Sequence, residues 1–271
     1  MSATVLSLFL WVLISCVPNG NEHWQFAETI PLEGVGIIGL EYHPEKDLFW
    51  VSDGDNNRLI KVDNEGKTVE DIHQFSRPMH LSYRDEILYL AEYGADRIIL
   101  IDGEEMVSIP LPRAPDAPSS IDVDGNRVAV ADFYNHRIIL WDEEGDYSFG
   151  VEGNEDGQFH YPTQVRFYNG KLFVADAYNH RIQVFDSNDR SHLQTIGSDD
   201  GMNATTGLYV DEDGIYATDF ENSRVLIYTH DGKLVQILEE NIDKPTAVIK
   251  HKNTLFIANY GEQSISRFQL R

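Results

Sequence analysis

One unit recurs six times along the chain: an apolar run, an acidic residue, four further residues, an arginine, then alternating apolar residues. It reads LFWVSDGDNNRLIKVD, ILYLAEYGADRIILID, VAVADFYNHRIILWD, LFVADAYNHRIQVFD and IYATDFENSRVLIYT, followed by a degenerate LFIANYGEQSISRFQ. The anchors Asp53, Glu92, Asp132, Asp176, Asp219 and Asn259 stand 39 to 44 residues apart. Five copies keep arginine five positions later, at Arg58, Arg97, Arg137, Arg181 and Arg224; the sixth has Ser264. A repeat of this length is one supersecondary unit. It cannot bury its apolar faces alone and must stack on its neighbours.

Each unit holds four short strand patterns. In the fourth they are TQVRF (163–167), KLFVA (171–175), RIQVF (181–185) and HLQTI (192–196), with Asn169-Gly170 as a hairpin turn. Four strands per unit of about 40 residues predict an all-β, six-bladed propeller of antiparallel blades. The sixth unit ends after its third strand, ISRFQ, and one spare strand pattern, HWQFAETI (23–30), precedes the first unit. The expectation is that this N-terminal strand pairs with the last blade and closes the ring, which removes exposed sheet edges. The acidic anchors and arginines fall at the end of the second strand and the start of the third. They are expected to bridge or cap that loop in every blade, because catalytic groups do not recur five times.

FGVEGNEDGQFHYPTQVRFYNGKLFVADAYNHRIQVFD (149–186) resembles an NHL repeat in its FG-x-x-G run, its GQF-x-x-P segment and its VAD and NHR segments. The resemblance extends over roughly residues 34–271. It implies a binding platform, since NHL propellers mostly bind partners and the fold leaves the function open. It also makes His136 and His180, in the NHR segments, structural motif positions.

Charge narrows the partners. The chain of 271 residues carries 45 Asp and Glu against 21 Lys and Arg, a formal net charge of -24. Such a surface repels phosphate backbones and anionic lipid, so nucleic acid is excluded as a partner. Residues 1–15, MSATVLSLFLWVLIS, are mostly apolar and uncharged in their side chains, and read as a signal segment too short to span a bilayer. Leu13-Ile14-Ser15-Cys16 resembles a bacterial lipobox, with Cys16, the only cysteine, as the lipidation site. The expected organisation is a signal or lipoprotein-type segment at 1–16 and a single propeller at 17–271. The expected location is extracytoplasmic, as a cell-envelope lipoprotein or, alternatively, a secreted protein. It touches membrane only through the N-terminal lipid, and a monomer is expected.

Candidate ligand residues come from the innermost strands. If alternation holds, one inward tier is Gly39, His80, Ser120, Gln164, Gly207 and Ala247, and the next is Glu41, Ser82, Asp122, Arg166, Tyr209 and Ile249. The polar groups concentrate in blades one to four. Glu41, His80, Ser120, Asp122, Gln164 and Arg166, with Tyr209 of blade five, are the candidate ligand residues at the channel mouth, with mutual neutralisation of Arg166 by Glu41 and Asp122 as the plainer reading. The related peptidyl-α-hydroxyglycine lyases hold zinc with several inner-strand histidines. Only His80 stands in the matching tier here, where zinc needs at least three donors. Glu41 and Asp122 could offer oxygen to calcium, opposed by Arg166. Asp53-Gly54-Asp55-Asn56-Asn57 lacks the glutamate of a calcium loop, having Asn64 at the twelfth position. No catalytic residue is assigned and no cofactor is required by the sequence, calcium and zinc being the open possibilities. The function read from the chain is a scaffold for a protein, peptide or small ligand. The alternative is a metal-dependent lyase or lactonase-like hydrolase using the channel.

Overall fold

The computed structural model describes residues 23–143 and 145–271. The segment 1–16, with Cys16, lies outside the described residues. Among those described, twenty-four strands form six separate four-stranded antiparallel sheets, and the helical content is two 3-10 turns, at Tyr93–Ala95 and Ala177–Asn179. None of these is long and apolar enough to cross a membrane. The innermost strands are Ile37–His43, Pro78–Arg84, Pro118–Asp124, Pro162–Tyr168, Thr205–Asp211 and Pro245–His251. In blades one to five the following three strands add outward in chain order.

Blade six is composite. Its outermost strand is the N-terminal Trp24–Pro31, antiparallel to Ser264–Leu270 with Trp24 opposite Leu270 and Pro31 opposite Ser264. Blade one packs on blade six through a shared core in which Ile37, Leu40, Phe49, Val51 and Ile60 meet Ala247, Ile249, Phe256, Ala258 and Ile265.

The sequence patterns follow from position in the blade. Second strands such as Leu48–Asp53 and Lys171–Asp176 lie between neighbouring blades and are buried on both faces, hence their continuous apolar runs. Outer strands such as Leu234–Leu238 alternate between covered and open positions. Every inner strand carries a bulge just after its first residue, for example between Pro162 and Gln164. A bulge leaves one residue unpaired and re-aims its side chain. In blades three to six that residue is Ser119, Thr163, Thr206 or Thr246, and each hydroxyl donates to a carbonyl of the next blade: Pro162, Thr205, Pro245 and Ile37.

Candidate functional site

The repeated motif residues build the joints of the ring. In five blades the arginine Nε donates to one anchor oxygen, at 2.7 Å for Arg58 on Asp53, 2.6 Å for Arg97 on Glu92, and 2.9 Å for Arg181 on Asp176. Arg137 on Asp132 and Arg224 on Asp219 do the same at 2.7 Å. The other anchor oxygen accepts a backbone N–H from the loop ahead of the inner strand: Gly36, Ser76, Asp116, His160 or Asn203. These buried carboxylates thus have both a counter-charge and hydrogen bonds, which is what burial of a charge requires. Blade six drops both partners together. Asn259 accepts from Asp243 N–H at 3.3 Å and donates to the hydroxyls of Ser264 and Ser266 at 3.2 and 2.8 Å. A neutral amide and two hydroxyls replace the ion pair, so no uncompensated charge is left.

The residue before each arginine is a latch between blades. Asn57, Asp96, His136, His180, Ser223 and Gln263 all have φ between 50° and 57°. Each side chain accepts a backbone N–H of the following blade: Arg77, Ala117, Tyr161, Ala204, Lys244 and, across the closure, Gly34. Asn, Asp and His tolerate the left-handed region better than most residues, which fits four of the six, while Ser223 and Gln263 hold it with side chains that accept the same bond.

Three charged residues of one channel tier, Glu41, Asp122 and Arg166, come together. Arg166 reaches from blade four across the axis. Its Nη2 donates to Glu41 Oε1 of blade one at 3.0 Å, Nη1 and Nη2 to the Leu81 carbonyl at 3.3 Å, and Nε to the Leu208 carbonyl at 3.2 Å. Asp122 Oδ1 lies 3.6 Å from Arg166, accepts from the Ser82 hydroxyl at 2.6 Å, and pairs with Arg84 at 3.0 Å. Its Oδ2 takes the Phe167 N–H at 2.7 Å. Two carboxylates face two guanidiniums, so the formal charges cancel. Arg84 was not among the sequence candidates, although it lies two residues beyond Ser82 on the same face. Burial raises the Glu41 pKa against the opposing pull of Arg166. Burial, with Asp211 and Glu41 nearby, raises that of Tyr209, which packs on Tyr216.

In the other tier, Ser120 and Gln164 accept the N–H groups of Val165 and Leu208 and so tie blade three to four and four to five. Gly39 and Gly207 sit where inner strands nearly touch. A Cβ would lie 2.6 Å from the Met79 carbonyl oxygen at Gly39 and 2.5 Å from that of Thr246 at Gly207. His80 is buried and its Nδ1 has no hydrogen-bond partner; burial first, then the Arg166 charge, pushes its pKa down to about 3. Among the described residues no group of three or more His, Cys, Asp or Glu side chains could hold a metal ion.

A second feature lies at the end of the ring that carries the anchors and latches. Tyr93, Phe133, Tyr134, Tyr161 and Tyr178, with His136 and His160, form one connected set of rings across blades two to four. Phe133 stacks on Tyr161 at 4.7 Å, Tyr93 meets Phe133 at 5.9 Å, and Tyr161 meets Tyr178 at 5.2 Å. His136 and His160 lie 4.5 and 4.9 Å from Tyr161. Tyr134 and Tyr178 are 50% and 54% exposed. Beside them is a cleft of about 260 Å³ lined by Glu152, Gly153, Asn154, His160 and Asn179. Tyr93, Phe133, Tyr134 and Tyr178 occupy the one or two positions after the anchor, as Glu92-Tyr93, Asp132-Phe133-Tyr134 and Asp176-Ala177-Tyr178, where blade one has Gly54-Asp55, while Tyr161 stands just before the inner strand of blade four. Comparing those positions across repeats marks them as aromatic in blades two to six, with Phe220 and Tyr260 in the last two, but does not bring Tyr161 among them. At the opposite end, a cavity of about 230 Å³ between blades one and two is lined in part by His43, Trp50, Lys61 and Tyr83, and Lys61 lies 4.1 Å over the Trp50 ring.

The NHL repeat family matches residues 159–185, from Phe159 through the Asp176–Arg181 bridge. No curated protein matches the sequence. Among solved structures the chain is similar to a streptogramin B lyase, with TM-score 0.67 and 14% identity over 92% of this chain and 98% of that one. It is similar to virginiamycin B lyase from Staphylococcus aureus, with TM-score 0.66 and 12% identity over 92% and 100%. It is also similar to the Cps50 (Swd1) β-propeller domain of Myceliophteria thermophila, with TM-score 0.62 and 15% identity over 87% and 84%. At such identities the likeness carries the propeller fold alone.

Proposed function

We propose that this NHL-repeat, six-bladed propeller is an extracytoplasmic binding scaffold, lipid-anchored through Cys16, that engages a protein or peptide across the aromatic face of blades two to four. The observation that carries this reading is the connected set of rings with Tyr134 and Tyr178 half exposed. Tyrosine offers large contact area at low conformational cost, and an exposed apolar cluster beside a polar cleft is what partner-binding surfaces present. The channel supports the same reading from the other side: Glu41, Asp122, Arg84 and Arg166 satisfy one another across it. The apolar segment 1–15 and the Leu13-Ile14-Ser15-Cys16 sequence support the location.

Affinity capture from the native cell envelope tests the face, comparing the wild-type chain with Tyr134→Ser/Tyr178→Ser at equal melting temperature. The expected result is a partner retained by the wild type and lost from the variant. A partner retained equally by both places the binding surface elsewhere.

A further inference from the structure

We infer that the aromatic face accepts the cationic side chains of a basic polypeptide segment laid across it in extended form. This deepens the reading of that face as the partner surface and rests on it. The chain places two of its own cations on rings at this end of the propeller: Arg77 lies 5.5 Å from the Tyr93 ring centroid and Lys244 lies 5.3 Å from that of Phe220. Among the described residues no Lys or Arg of the chain lies over Tyr134 or Tyr178, whose rings are half open to solvent.

Two acidic residues lie on loops beside those open rings. Glu152 lines the cleft with His160 and Asn179. Exposed Asp116 lies on the neighbouring loop, where its backbone carbonyl accepts the Tyr134 backbone N–H at 3.2 Å. A cation over a tyrosine ring is held by the negative face of the π-system, and nearby carboxylates add to the attraction. The net charge of -24 favours the same sign of partner over long range and disfavours nucleic acid, whose bases would otherwise stack on these rings.

The spacing suits an extended chain. Tyr134 and Tyr178 flank Tyr161 in steps of 6.1 and 5.2 Å. Same-side residues of an extended strand repeat about every 7 Å. Phe133 and His160 stack on Tyr161, so two cations of one short extended segment take the open rings of Tyr134 and Tyr178, the one over Tyr178 able to reach Glu152 in the cleft.

Calorimetry with the full chain in about 150 mM salt tests this, where long-range attraction is largely screened. The probe is a synthetic hexapeptide alternating arginine and alanine; its control carries citrulline, of similar shape but uncharged. The expected result is binding of the arginine peptide that weakens by about tenfold or more in Tyr134→Leu/Tyr178→Leu. That variant keeps apolar bulk and net charge while removing the rings. The citrulline peptide should bind at least about tenfold more weakly than its parent. Equal binding of the arginine peptide to wild type and variant would show charge attraction alone and overturn the proposal. So would binding of a neutral oligosaccharide such as maltohexaose that the variant loses. If the native partner still depends on Tyr134 and Tyr178 while the arginine peptide does not, the face stands and the cationic assignment falls. If neither depends on them, both fall.

Discussion

His80 is buried in the channel wall with its Nδ1 unpartnered and its pKa pushed down to about 3 by burial and the Arg166 charge. In the unfolded chain an imidazole takes up its proton near pH 6.5. Between these two values the unfolded state binds more protons, so stability falls as pH drops below about 6.5 and the native state gains nothing in return. From pH 7 to pH 5 this loss amounts to about 2 kcal/mol for one such group. Glu41 acts in the opposite sense, because burial raises its pKa and the native state then holds a proton more readily on acidification. The readout is therefore the difference between wild type and His80→Gln in urea unfolding at the two pH values. The variant should lose about 2 kcal/mol less stability over that interval. Identical pH dependence in the two proteins would mean that His80 is not held neutral.

The N-terminal strand tests the same logic one level up. It contributes Trp24 and Ile30 to buried positions, and its pairing with Ser264–Leu270 covers the edge of blade six. It also reaches blade five. Trp24 exchanges hydrogen bonds with the Gln236 side chain at 3.0 and 2.8 Å and meets the Tyr216 ring edge-on. Deleting residues 17–31 removes two buried apolar side chains worth about 2 kcal/mol each, together with a ladder of backbone bonds. The expected result is a clear drop in melting temperature, with self-association through the uncovered edge seen by light scattering. An unchanged melting temperature in a monodisperse truncated protein would show that the strand is not what closes the ring.

Across the whole molecule the excess of carboxylates dominates. The anchor arginines cannot offset it outwardly, because each is held on a buried acid within its own blade. Net repulsion of this size is relieved by salt, so the melting temperature should rise between about 10 and 150 mM salt as the Debye length shortens. The same field should keep DNA and RNA away even at low salt, where electrostatic binding is strongest. A gel-shift assay under those conditions checks this, and tight binding of either nucleic acid would contradict it.

What the sequence determined by itself was what repeats in residue type. Strand positions, hairpin turns, the anchor–arginine bridges and the six-fold count each follow from local periodicity, and each copy independently reports the same pattern. The HLQTI strand of blade four lies at 192–196 as its alternation predicts. The latches at Asn57, Asp96, His136, His180, Ser223 and Gln263 are less legible, since their residue types differ and only a shared left-handed backbone unites them. What only the tertiary structure decided is what each blade does not repeat. Arg166 meets Glu41 because ring closure brings strands 125 residues apart to one axis. Tyr134, Tyr161 and Tyr178 form one surface because loops of adjoining blades converge at the same end. Periodicity places a side chain on a strand or loop and on one of its faces. Which other side chain it meets across the ring depends on the angle between blades and the width of the channel, and those are set by packing of the whole closed circle.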